Sequence, residues 1–319
     1  MHDGVALANV TQGELEVLFV ILTYTRYASL TRLLSSLSRA KYPGANVHLH
    51  IAVDFVDTSD ADALLANQRC AKISMDYLWP HGRKTVVRRL SHTGLSQSWF
   101  ESPYGGSHDF ISIFEDDIEV HPHFFRFFSL ILSHGSLASP AVTGFCFHPD
   151  DWDVTFEKEC DDSSHSDTLY LSPEPCNWAP IWKHDEWLSY LEWVWKLKAQ
   201  GEMPFVPEEV SFEYNSFLRE GKDVQSSWVW RYNYEFNKQQ VRYSLLICSE
   251  TQSYQVYMAV NHKEAGEHFS HKMDIDNDPQ LLQMDPETLY SKFVGMNSFI
   301  PAPFPGYEVL SRQGADKLG

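Results

Sequence analysis

The sequence predicts an α/β fold, a three-layer αβα sandwich around a mixed, mostly parallel central sheet, and three observations carry the prediction. Runs rich in Val, Ile, Leu and Phe alternate with runs of helical periodicity through residue 128, and that alternation implies parallel strands joined by right-handed crossovers. The strand runs are nearly continuous in apolarity, as in strands covered on both faces. One of them, residues 110–114, stops on three consecutive carboxylates, Glu115, Asp116 and Asp117. Ligands of open α/β sheets sit beyond the carboxyl ends of such strands.

Taken in order, Leu15–Thr23 is the natural first strand, and residues 24–27 make the turn that follows it. Leu30, Leu33, Leu34 and Leu37 recur at the spacing of an amphipathic helix, which Pro43-Gly44 closes. Residues 47–53 form a second strand ending on Asp54, and residues 60–70 a second helix with Asp60 near its cap. Residues 85–90 read as a third strand, Gly94–Phe100 as a helical segment and residues 124–132 as a helix. Beyond residue 128 the alternation is irregular. Residues 141–147 and 240–248 have strand character, 185–198 and 226–237 helical character, and 150–167 reads as an acidic exposed loop. Residues 249–271 read as a polar, His-rich loop, and a Pro-punctuated tail follows residue 279.

With 319 residues, 43% of them hydrophobic, the chain can bury a full core. Its formal net charge of -18 argues against a nucleic-acid surface, which needs clustered Lys and Arg. A local diphosphate site would have to take its positive charge from a metal. No run approaches the roughly 18 apolar residues of a membrane span, and no charged-then-apolar signal peptide opens the chain. The expectation is a cytoplasmic protein as the chain stands, or a Golgi-lumenal one if an N-terminal anchor precedes it. The five cysteines, Cys70, Cys146, Cys160, Cys176 and Cys248, include no C-x-x-C pair, so free, mostly buried thiols are expected. Cys160 and Cys176 could pair in an oxidising compartment. One glycosylation sequon, Asn9-Val10-Thr11, lies near the N-terminus.

The acidic triplet has two readings from its residues alone. Side chains alternate on an extended backbone, so at most two of the three face one ion, which suffices if substrate phosphates complete the shell. The other reading is the acidic first turn of the helix that begins near Phe124.

Taken together, the strand leading into Tyr24-Thr25-Arg26, the strand ending on Asp54, Gly94-Leu95-Ser96-Gln97-Ser98-Trp99, the acidic segment 114–128 and the late Asn261–His268 segment resemble the nucleotide-sugar-dependent, Rossmann-like glycosyltransferases known as GT-A. Segment 114–128 resembles the DXD-type motif of the Golgi N-acetylglucosaminyltransferase that initiates complex N-glycans. Segment 261–268 is more like family-two-like transferases. The resemblance spans about residues 15–271 and implies a flexible leader at 1–14, a GT-A domain at 15–275 and a tail at 276–319 packing on it. Within the domain, residues 15–128 would bind the nucleotide sugar and 129–275 the acceptor.

Carried over residue by residue, the resemblance makes Asp117 the ligand of manganese or magnesium, places Asp116 against the ribose or donor sugar and counts Glu115 among the residues that bind the nucleotide sugar. Thr23 and Arg26 would meet the nucleotide, and Asp54 would accept a hydrogen bond from the base. His268 would be a second metal ligand, with His262 and His271 competing for the role. Glu213 and Asp223 fall where inverting members carry the catalytic base, although that comparison puts an acid before a tryptophan where this chain has Ser226-Ser227-Trp228. Trp178, Trp182 and Trp228 are candidates for an acceptor wall, since aromatic faces pack on sugar rings, although core packing is the commoner fate of such residues. The implied function is transfer of a hexose or pentose from a UDP-sugar to a glycan or glycoprotein. A nucleotidyltransferase competes but should carry a Gly-rich phosphate loop after strand one, where this chain has none. A silent, lectin-like domain is the non-enzymatic alternative, and the intact triplet counts against it.

Overall fold

The structure, a computed structural model, describes residues 15–101, 106–133, 137, 140–146, 168–172, 179–202, 232–233, 235–237, 239, 243–248 and 258–260. Its main sheet has eight strands in the order β3-β2-β1-β4-β8-β6-β9-β7. These are β1 (Leu15–Thr23), β2 (Ala45–Val53), β3 (Lys84–Arg88), β4 (Phe110–Glu115), β6 (Val142–Cys146), β7 (Thr168–Ser172), β8 (Ile181–Lys183) and β9 (Tyr243–Cys248). β1 lies between β2 and β4, parallel to both, and β3 continues the parallel run outside β2. β8 is antiparallel to β4 and β6, β6 is parallel to β9, and β7 is antiparallel to β9. The sheet is therefore mixed, with its all-parallel half built from the first 115 residues.

Alternation along β1 divides the core. Val17, Phe19 and Ile21 face one layer with α1 (Tyr27–Arg39), α2 (Ala61–Asp76) and α4 (Phe124–Ser133), while Leu18, Val20 and Leu22 face α3 (Gly94–Phe100) and α5 (His184–Gln200). All six of these β1 side chains are buried, so helices on both faces follow from a strand with no polar face. α1 buries the expected Leu30, Leu33, Leu34 and Leu37. Phe19 sits against Phe114, Phe124 and Phe125, with ring centroids 5.1–6.5 Å apart, and such burial contributes about 1.5–3 kcal/mol for each large side chain. Asp60 caps α2 by accepting from the amides of Asp62 and Ala63. α5 ends at Gly201, whose φ of 70° is the left-handed turn that stops a helix cheaply.

Two expectations are corrected. Met258–Val260, expected inside a loop, is β10, paired antiparallel with β5 (Ile118–Val120) in a separate two-stranded sheet; three residues are too few to show a period. Cys146, expected as a free thiol, is disulfide-bonded. Cys70 is free and buried as expected, and burial pushes its thiol up to about 11. Cys160, Cys176, the sequon and the loop at 150–167 lie outside the described residues. Among the described residues no helix is long and apolar enough to cross a membrane.

Candidate functional site

The registers Thr23↔Val53 and Leu22↔Glu115 bring the carboxyl ends of β2, β1 and β4 into one row. Asp54, Thr23 and the acidic triplet therefore stand side by side, as the sequence pattern implied. After β1 the chain turns directly into α1 with Arg26 at the N-cap position, where it makes no side-chain cap. Its guanidinium leans instead across to β4: Nη1 lies 2.6 Å from Asp117 Oδ2 and Nη2 lies 2.6 Å from Asp116 Oδ1. Thr23 donates its hydroxyl to Asp116 Oδ2 at 2.7 Å. Asp116 and Asp117 are buried.

Three neighbouring acids removed from water are costly unless paired. Burial pushes the Asp116 carboxyl up to about 6 even though Arg26 pulls it down. Glu115, which accepts from the Trp99 indole at 3.3 Å, is raised to about 8 by burial first and the Asp117 charge second. Burial alone would lower Arg26, but the charges of Asp116, Asp117 and Glu115 outweigh it and hold the guanidinium ionised. Among the described residues, Arg26 thus pairs with Asp116 and Asp117 and acts on Glu115 by its charge.

The raised carboxyls have a pH consequence. A carboxyl whose folded value exceeds its unfolded one contributes stability below the unfolded value and loses it as pH rises through the folded value. For Glu115 that window runs from about 4.5 to about 8. Glu115→Gln in chelator should therefore gain stability relative to the parent as pH goes from 6 to 9. Each kcal/mol gained appears as about 1.5 °C of melting temperature in a chain of 319 residues. A difference that stays flat with pH would show that Glu115 is ionised in the fold at no cost.

The donor set suits a hard divalent cation. Among the described residues no three His, Cys, Asp or Glu side chains form a ready metal cage, but Asp116 and Asp117 supply adjacent hard oxygens whose shell phosphates could complete. Asp116 Oδ1 is the observation that bears on fit. Although 2.6 Å from Arg26 Nη2, it is a buried oxygen without a well-directed hydrogen bond, the sort of lone pair a cation satisfies.

Asp54 is buried at the end of β2, and its carboxylate is already committed. It accepts from the amides of Phe55, Thr93 and Gly94 and from the Thr93 hydroxyl at 2.8–3.1 Å, and His92 Nδ1 lies 2.9 Å away. Asp54 thereby anchors the start of α3, which Thr93 leaves without a side-chain cap. At its other end α3 is tied to the triplet through Trp99 and Glu115. α3 is a bracket between two strand ends. The Tyr24 and His92 rings, 5.3 Å apart, stand at its rim.

Sequence reasoning missed Asn67, which is 1% exposed on α2. Its amide donates to the carbonyls of Tyr24 at 2.7 Å and Asp54 at 2.8 Å, stapling the loops after β1 and β2 together. The signal was a polar residue in the buried stripe Asn67, Cys70, Ala71 and Ser74. Asn67→Ala should cost about 1–3 kcal/mol in denaturant unfolding, because two carbonyls lose their donor. Unchanged stability would mean that water replaces the amide.

Of the remaining candidates, Trp182 requires a correction. It is 3% exposed and packs against Trp187 and Tyr190 beneath α5, so it belongs to the core and offers no face to an acceptor. Glu213, Asp223, Trp178, Trp228, His262, His268 and His271 lie outside the described residues. β10 ends at Val260, paired with Ile118, so the chain leaves β10 one residue along β5 from Asp117.

No protein-family model matches the chain, and no curated protein sequence matches it. Among solved structures it is similar to the mannosyltransferase PcManGT from Pyrobaculum calidifontis in complex with GDP-Man and Mn2+, at 15% identity and a TM-score of 0.36 over 59% of this chain and 47% of that one. It is also similar to S. aureus TarS 1-349, at 10% identity and a TM-score of 0.37 over 76% of this chain and 62% of that one. The same TarS fragment in complex with UDP-GlcNAc matches at 12% identity and a TM-score of 0.32, over 56% of this chain and 47% of that one. The chain thus spans about half to three fifths of the structures it matches.

Proposed function

We propose that the chain is a divalent-metal-dependent glycosyltransferase of the GT-A class, moving a sugar from a nucleotide sugar, UDP-sugars first, to a glycan or glycoprotein with inversion. The observation that carries this reading is the convergence of Thr23, Arg26 and the acidic triplet at the carboxyl ends of adjacent parallel strands, where α/β sheets place their ligands. Asp117, with Asp116 beside it, would hold manganese or magnesium, which when bound supplies Lewis-acid neutralisation of the departing diphosphate. Thr23 fixes Asp116, and Arg26 brings a positive charge to the diphosphate. The base would lie against the exposed Tyr24 and His92 rings. In an inverting transfer the acceptor oxygen bonds to the anomeric carbon as the bond to the diphosphate breaks. The hydroxyl proton passes to a carboxylate, for which Asp223 and Glu213 are the candidates.

His268 is kept as a second ligand because its segment leaves β10 beside the triplet, and eight residues can reach up to about 26–29 Å. The Cys146 disulfide favours an oxidising compartment over the cytoplasm. The deciding experiment is a thermal-shift screen of UDP, GDP and CMP sugars with and without manganese, followed by a transfer assay. A ligand at a hundred times its dissociation constant should stabilise by about 2.7 kcal/mol. No shift from any nucleotide sugar with manganese would sink the reading.

A further inference from the structure

We infer that Arg26 is a built-in cation lock, a guanidinium that holds the acidic pair in the ligand-free protein and must leave it when a divalent cation and a nucleotide diphosphate bind; this rests on the function proposed above. Its two nitrogens lie 2.6 Å from oxygens of Asp116 and Asp117, so one planar fork spans the two carboxylates that would hold a divalent ion. A lysine would do this less well, because its ammonium is a compact point charge and not a planar fork. The partners differ in their freedom to move. Asp116 and Asp117 are 1% and 6% exposed, whereas the Arg26 side chain is 30% exposed and has no capping duty on α1. The arginine can swing out towards solvent; the acids stay.

Two like charges cannot share one pair of oxygens in a poorly screened site. Metal alone therefore competes against a cation already in place. A diphosphate changes the balance by offering Arg26 a new anionic partner through the same bidentate geometry. Metal and nucleotide then bind with positive coupling, and Arg26 adds to the part that direct metal–phosphate contact supplies. The device would keep the buried acids neutralised between turnovers and make tight metal binding conditional on the donor.

The experiment is a manganese titration followed by the electron paramagnetic resonance of the free ion, with and without UDP, on the parent protein, Arg26→Met and Arg26→Lys. Arg26→Met should bind manganese alone at least about tenfold more tightly than the parent, and UDP should strengthen that binding by a smaller factor than in the parent, because the metal–phosphate contact remains while the share carried by Arg26 is lost. Arg26→Lys should fall between them, and it carries the test if Arg26→Met does not fold. Manganese affinity that is unchanged or weaker in the variants, in a parent that binds both ligands, overturns the lock alone. A parent that binds neither manganese nor UDP overturns the lock together with the proposed function.

Discussion

Asp117→Asn should leave the fold intact and abolish manganese-dependent binding of UDP, weakening it by at least about a hundredfold, which is roughly 2.8 kcal/mol. The side chain is 6% exposed, and its Oδ2 lies 2.6 Å from Arg26 Nη1, so the near-isosteric amide fits the space and loses only the charge. Two effects oppose each other in the ligand-free protein. The variant weakens one of the two contacts of Arg26, but it also removes the charge that helps push Glu115 up to about 8. Stability should therefore stay near the parent's, while a hard anionic ligand is gone. Thermal melts in chelator and calorimetric titration of UDP with manganese separate these outcomes. Parent-like manganese-dependent affinity would remove Asp117 from the metal site; a large fall in melting temperature would make it a structural acid.

The parts legible in the sequence were those that depend on near neighbours. β1 was readable because the unbroken apolar run of residues 17–22 fits a strand covered on both faces, and α1 because its leucines share one stripe. The triplet could be placed at a strand end because the apolar run stops there. What could not be read are contacts between residues far apart in the chain. Arg26 meets Asp117 across 91 positions, and nothing near Arg26 signals that it will forgo capping α1. Asn67 joins two loops that are neighbours only because β1 and β2 are parallel and in register. β5 and β10 were invisible because three residues show no period and their pairing joins Ile118 to the distant Val260. Trp182 was ambiguous for a related reason: a Trp in a short strand is wall or core depending on what covers it, and α5 does.

Asp54→Ala should destabilise the protein by about 2–4 kcal/mol and weaken every nucleotide by a similar factor. From the sequence Asp54 was expected to read the base, and its position at the end of β2 suits that role. Its carboxylate, however, is used by the amides of Phe55, Thr93 and Gly94 and by the Thr93 hydroxyl, with His92 beside it. Those contacts fill its lone pairs, so a base could bind it only by displacing a donor that has no other place to go. Removing the carboxylate frees the start of α3 and with it Trp99, which steadies Glu115. The loss should reach the metal side of the crevice as well as the nucleotide side. Asp54→Asn, which keeps one acceptor oxygen but turns an amide donor towards backbone donors, should recover less than half of the stability. The measurement is urea unfolding alongside the affinities of UDP, GDP and CMP with manganese. If Asp54 touches the base directly, Asp54→Ala will instead keep parent stability and change the ranking of the three nucleotides, and its hydrogen bonds to α3 will have been dispensable.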